Sequence, residues 1–162
     1  IGYQVGCGFM VGSPYQTATH LAEDMMFLAE LRPHMVGIGP FIPHKDTAFK
    51  DERAGSCELT CYLLSIVRLM KPNILLPSTT ALGTIDPMGR EKGILSGGNV
   101  VMPNLSPVDL RKHYSLYDNK ICMDTEAAEG LEALKMSMLI RWILIGETLV
   151  PLNPISGQTW IF

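Results

Sequence analysis

The chain has 162 residues, 47% of them hydrophobic and 18% charged, with 13 Lys+Arg against 16 Asp+Glu for a net charge of −3. That apolar fraction excludes a disordered or collagen-like chain, and the length fits one domain with a sizeable core. The acidic balance, with no basic run longer than Arg111-Lys112, excludes a nucleic-acid binder, which needs a dense positive face.

The chain starts at Ile1 with nothing signal-like, so it reads as a piece of a longer protein. Gly2 to Met10 is expected as the first strand, followed by the turn Gly12-Ser13-Pro14. Thr17 can then cap a helix to about Leu31, with Leu21, Met25 and Leu28 at helical spacing and Arg32-Pro33 as its stop. A second strand runs from His34 to Gly39 and leaves through Pro40-Phe41-Ile42-Pro43. After a polar loop, Ser56 can cap a helix carrying Leu59, Leu63, Ile66, Val67 and Met70, which Lys71-Pro72 ends. The third strand is expected over Ile74 to Thr80, then a loop over Gly83 to Gly89 and a short helix near Arg90 to Leu95. A fourth strand covers Asn99 to Met102, and a helix opens at Ser106-Pro107, with proline favoured in the first turn. Further on, Met136 to Val150 is the most apolar stretch. It falls short of the ~20 residues a bilayer requires and is interrupted by Arg141 and Glu147, so no membrane span is expected.

Strands alternating with helices mean βαβ units and a parallel sheet. The strands read as apolar on both faces, as in a sheet covered by helices. Four units make half of a (β/α)8 TIM barrel, with a small open doubly wound sheet as the alternative. Either way, function belongs at the C-terminal strand ends, which carry Met10-Val11-Gly12, Gly39-Pro40-Phe41, Thr79-Thr80 and Met102-Pro103-Asn104.

Several residues there could carry chemistry, each with a plainer reading beside it. The cysteines at 7, 57, 61 and 122 are too sparse for a secreted disulfide scaffold and suit a reducing compartment, the cytoplasm. Cys57 and Cys61 share one helical face, but a cluster-binding Cys-x-x-x-Cys-x-x-Cys needs a third cysteine where Leu64 stands. Ordinary partly buried thiols are the favoured reading. His44 and Asp46 do not close a metal site by themselves, so a loop-ordering role is favoured. Thr79 and Thr80 end a strand and can offer hydroxyls to an anionic or polar ligand, or serve simply as β-branched strand residues. Met35 and Met102 read as core filler, and Tyr114 and Tyr117 as packing residues three apart. No phosphate-binding glycine loop, Ser–His–Asp triad or carboxylate pair is recognisable.

The strings MVGIGPFIPHKDT, LLPSTTALGTIDPMGRE, GGNVVMPNLSP and YSLYDNKIC are similar to the HydE family, the radical S-adenosylmethionine maturases of iron-only (FeFe) hydrogenases. The opening GCGFMVGSPYQT resembles a strand and turn of the same family, and the resemblance covers residues 1–135 in unbroken order. It implies the C-terminal half of a radical SAM TIM barrel over 1–135, with 136–162 as an atypical tail, frame-slipped or non-native. It further implies a role in assembling the hydrogenase di-iron site through a 5′-deoxyadenosyl radical, with a small organometallic or amino-acid-derived substrate and other maturation proteins as partners. The family uses S-adenosylmethionine and a 4Fe-4S cluster, whose ligands are expected upstream of this chain; the chain alone is then inactive.

By matching strings, Tyr114 and Leu116 resemble cofactor-binding residues, and Met35, Thr79, Thr80, Met102 and Tyr117 resemble residues lining the substrate cavity. Cys122 resembles a ligand of an accessory cluster, but its later partner positions are Gly130 and Ala133, so that cluster is expected to be absent. Pro43-His44-Lys45-Asp46-Thr47 and the MPNLSP string favour HydE over biotin synthase. A methylornithine synthase-like enzyme of the biotin-synthase group is one alternative. A catalytically silent half-barrel that binds a small anion or self-associates through its unpaired edges is another.

Overall fold

The computed structural model describes residues 1–102, 107–111 and 113. The chain folds as mixed α/β around a small parallel sheet: β1 Gly6–Val11, α1 Ala18–Leu31, β2 Met35–Pro40, α2 Cys57–Met70, α3 Thr80–Ile85, α4 Gly89–Leu95 and α5 Val108–Arg111. β1 and β2 pair in parallel in a register running from Gly6 opposite Met35 to Val11 opposite Pro40.

Both expected side-chain caps are in place. The Thr17 hydroxyl accepts from the His20 N–H and the His20 Nδ1 accepts from the Thr17 N–H, each at 3.3 Å, a reciprocal cap. The Ser56 Oγ accepts from the Leu59 N–H at 3.1 Å. α1 ends with Arg32 in a left-handed conformation at φ 52°, its N–H bonded to the Leu28 carbonyl before Pro33.

Five expectations need correction. The first strand starts at Gly6 rather than Gly2, because the pairing opens only where His34 and Met35 donate to the Val5 carbonyl. The third strand, expected over Ile74 to Thr80, is reduced to two parallel bridges, Met35 with Leu75 and Pro77 with Val100. Pro77 has no N–H for a ladder, and the Leu76 N–H goes to the Asn99 Oδ1 at 2.7 Å instead of a neighbouring backbone. Thr79 is the N-cap and Thr80 the first residue of α3, so the hydroxyl pair begins a helix, and the expected loop after Gly83 is helical as far as Ile85. The fourth strand is likewise one bridge at Val100, held by the Asn99 side chain, which also donates to the Ile74 carbonyl at 3.2 Å.

The last correction is to the sheet faces, which differ rather than both being apolar. Val11, Val36 and Ile38 are fully buried and join one core with Met25 and Leu28 of α1 and Leu63, Leu64 and Val67 of α2, with Cys7 and Phe9 packed against it. On the alternate positions, Gly6, Gly8 and Met10 are exposed while Met35, Gly37 and Gly39 are half-buried. Burial of one face sorts residues by the two-residue period of the strand. On α2 the same sorting places Thr60 in the core, its hydroxyl satisfied by the Ser56 carbonyl at 2.7 Å, and leaves Leu59 and Met70 exposed. Among the described residues, no helix is long and apolar enough to cross a membrane.

Candidate functional site

The segment 74–78 runs beside β2, which brings the Thr79-Thr80 step to the C-terminal end of that strand. A Cβ placed on Gly39 would stand 2.7 Å from the Thr79 Oγ1, so the glycine leaves the room that the threonine fills. The Thr79 Oγ1 is buried and has no hydrogen-bond partner. Thr80 is half-buried, and its Oγ1 accepts from the Arg90 Nη2 at 3.1 Å. The same Nη2 donates to the Met102 carbonyl at 3.2 Å.

Arg90 itself is only 8% exposed. Its carbonyl accepts from the Ser78 hydroxyl at 2.8 Å in a buried contact, which ties α4 to the residue before the threonine pair. A Cβ on Gly93 would lie 2.4 Å from that Ser78 Oγ, so Gly93 is what lets α4 come this close. The Arg90 Nε is buried without a partner. Two adjacent threonines, one of them bonded to a buried guanidinium, therefore leave donor capacity on Thr79 and on Arg90. Such a group can hold an electron-rich or anionic atom, because a buried unpaired donor gains most from an acceptor that meets it.

The expected site residues fall into three sets. Thr80 and the Met102 carbonyl meet at Arg90, and Thr79, next to Thr80 in the chain, faces Gly39, while the Met102 side chain is exposed. Met35 lies on the same sheet face as Gly39 but at the other end of β2, four residues or about 13 Å along the strand. Tyr114, Leu116, Tyr117 and Cys122 lie outside the described residues, as does the segment 136–162. Sequence reasoning missed Arg90 and named Gly39 only as one of the strand-end residues. Arginine is seldom buried, so a charged residue in a short helix gives no sign of its role. Gly39 did carry one signal: it sits one pleat beyond Gly37, on the same face of the strand.

The cysteine pair has a different setting. Cys57 is buried in the core and Cys61 packs against that core from the same helix face. Burial, with Cys61 beside it, pushes the Cys57 thiol up to about 12. His44 orders its loop: its Nδ1 accepts from the Asp46 N–H at 3.1 Å and its carbonyl from the Thr47 N–H at 3.0 Å. A cleft of about 540 Å³ opens between the loop before α2, the first turn of α2 and the Ile85-Asp86 end of α3. It lies at the opposite end of α3 from the threonines. Asp86 there pairs with Lys92 and also accepts from the Met88 N–H at 2.8 Å, and both contacts hold its carboxyl below the usual range.

A parallel strand pair with helices packed against it defines an α/β protein, a class in which polar ligands are generally held at the C-terminal strand ends. No family model matches the chain. Over 123 residues, 76% of its length, it is 47% identical to the FeFe hydrogenase maturase subunit HydE of Thermotoga maritima. Over that stretch the chain is HydE-like. It spans 35% of that relative's own length. A match of 123 in a chain of 162 leaves 39 residues outside it, so any unbroken placement contains residues 40–123, and with them Thr79, Thr80, Arg90 and Met102.

Proposed function

We propose that this chain is part of a radical S-adenosylmethionine enzyme of the HydE type, and that it contributes one wall of the substrate cavity within a (β/α)8 barrel. The observation that carries this reading is the coincidence of the HydE-like stretch with the hydroxyl–guanidinium cluster of Thr79, Thr80 and Arg90. The proposed reaction belongs to assembly of the hydrogenase di-iron site, in the cytoplasm and alongside other maturation proteins.

The iron–sulfur cluster of such an enzyme does not fit the residues described here. Cys57 and Cys61 lie within α2, Cys57 is buried with its thiol held protonated, and the third position is Leu64, fully buried in the core. Cluster ligation is proposed for residues upstream of this chain, and S-adenosylmethionine binding for Tyr114 and Leu116, both on the resemblance alone. The chain's own part is on the substrate side. Thr79 and Thr80 donate hydrogen bonds to a polar or anionic substrate atom, and the C-terminal end of β2 orients it. Met102 and Tyr117 are proposed to complete the wall, with Met35 lining the same cavity nearer the other end of β2.

The test is a chimera in which the matched segment of Thermotoga maritima HydE is replaced by the corresponding 123 residues of this chain. The chimera should mature hydrogenase. Thr79→Val together with Thr80→Val should lower maturation at least about 10-fold, two lost hydrogen bonds at about 1 kcal/mol each, while S-adenosylmethionine binding stays unchanged. Unaltered maturation by the double variant would overturn the assignment.

A further inference from the structure

We propose that Arg90 is a positioning residue for the ligand site: it fixes the Thr80 hydroxyl so that its proton points at the ligand, and it makes the site prefer an anion. The inference rests on the reading of Thr79 and Thr80 as substrate-side residues.

Three observations carry it. First, Arg90 is 8% exposed, yet neither of the ion pairs found among the described residues, His44–Asp46 and Lys92–Asp86, involves it. A buried guanidinium whose hydrogen bonds go to a neutral hydroxyl and a carbonyl keeps its positive field uncancelled, and an arriving anion would be stabilised by it. Second, the hydrogen bond from the Arg90 Nη2 uses a lone pair on the Thr80 Oγ1. A hydroxyl has a single proton, so an acceptor role toward Arg90 leaves that proton for something else, and a charged donor makes it a better one. Third, the Arg90 Nε and the Thr79 Oγ1 are both buried without partners. Buried donors of this kind are costly unless a ligand meets them.

The backbone keeps this arrangement rigid. The Ser78 hydroxyl holds the Arg90 carbonyl, and the Arg90 Nη2 donates to the Met102 carbonyl, so the residue is held at its backbone and at its guanidinium. Arg90 touches the ligand through Thr80 and through its field, which makes its role one of positioning and charge selection.

The experiment titrates the full 162-residue chain with acetate and with its neutral isostere acetamide, followed by the amide signals of Thr79 and Thr80 in NMR spectra. The unaltered chain should bind acetate at least about tenfold more tightly than acetamide, and the Arg90 Nε–H signal should move with the same midpoint as the threonines. Arg90→Met should abolish the preference, weakening acetate about tenfold more than acetamide. Arg90→Lys keeps the charge but not the fork, and should retain part of the preference. Equal weakening of acetate and acetamide in Arg90→Met would mark a purely structural role and overturn the proposal. So would an Arg90 Nε–H signal that stays still while the threonines respond, a result that needs no variant to fold. If the unaltered chain binds neither probe at the threonines, the substrate-side reading fails with it. Acetate binding that Arg90→Met leaves intact overturns the role of Arg90 alone.

Discussion

At the scale of single residues, the site depends on room as much as on functional groups. Gly39 has no side chain because Thr79 occupies that space: an added Cβ would meet Oγ1 at 2.7 Å and Cβ and Cγ2 at 3.5 Å. Gly39→Ala is expected to cost about 1–3 kcal/mol by overpacking against the threonine. Thr79→Ala removes the closest atoms, so in its background the same change should cost much less. Urea denaturation of the two single variants and the double variant measures that coupling, and additive costs would show that the two residues do not share the space. The Arg90 contacts follow the same logic. Gly93 admits the Ser78 hydroxyl that then meets the Arg90 carbonyl.

At the scale of elements, Arg68 shows how a side chain replaces missing sheet pairing. From the last turn of α2 its Nε donates to the Gly97 carbonyl at 2.8 Å, and its Nη1 to the Pro72 carbonyl at 2.6 Å and the Ile74 carbonyl at 3.0 Å. It therefore ties α2 to the entry of the 74–78 segment and to the turn after α4. Gly97, at φ +106°, also leaves space for the Arg68 stem, since a Cβ there would lie 2.7 Å from that of Arg68. Arg68→Ala should destabilise the fold by about 1.5–3 kcal/mol, the range for hydrogen bonds to a charged donor. Arg68→Lys should recover only part, because a single ammonium cannot reproduce the planar fork. Chemical denaturation of both variants checks this, and equal stability of Arg68→Ala and the unaltered chain would exclude the clamp.

At the scale of the whole molecule, Cys57 links the core to solution pH. Burial first, and then Cys61, hold its thiol protonated up to about 12 against an ordinary 9.0. The folded chain therefore keeps a proton that the unfolded chain has lost between those values. The resulting stabilisation is complete below pH 9.0 and declines as the pH rises toward about 12. Denaturation midpoints measured from pH 7 to pH 10.5 should fall at the alkaline end, and Cys57→Ala should flatten that fall. An unchanged slope in the variant would place the alkaline sensitivity elsewhere.

The sequence by itself determined the local features. Thr17 and Ser56 cap helices because their hydroxyls meet backbone N–H groups three residues on. Arg32-Pro33 and Lys71-Pro72 end helices because proline continues no ladder. The parallel pairing of β1 and β2 follows from a helix crossing between them. The strings around Thr79-Thr80 also carried the likeness to HydE, because identity in sequence needs no coordinates. What only the tertiary structure decided is which distant groups meet. Thr80 joins Arg90 ten residues on, Arg90 joins the Met102 carbonyl, and Thr79 fills the space left by Gly39. None of these contacts has a local signature, since each depends on two segments packed against a third. The same holds for the reduced third strand: Asn99, 23 positions away, takes the Leu76 N–H that a neighbouring strand would have claimed.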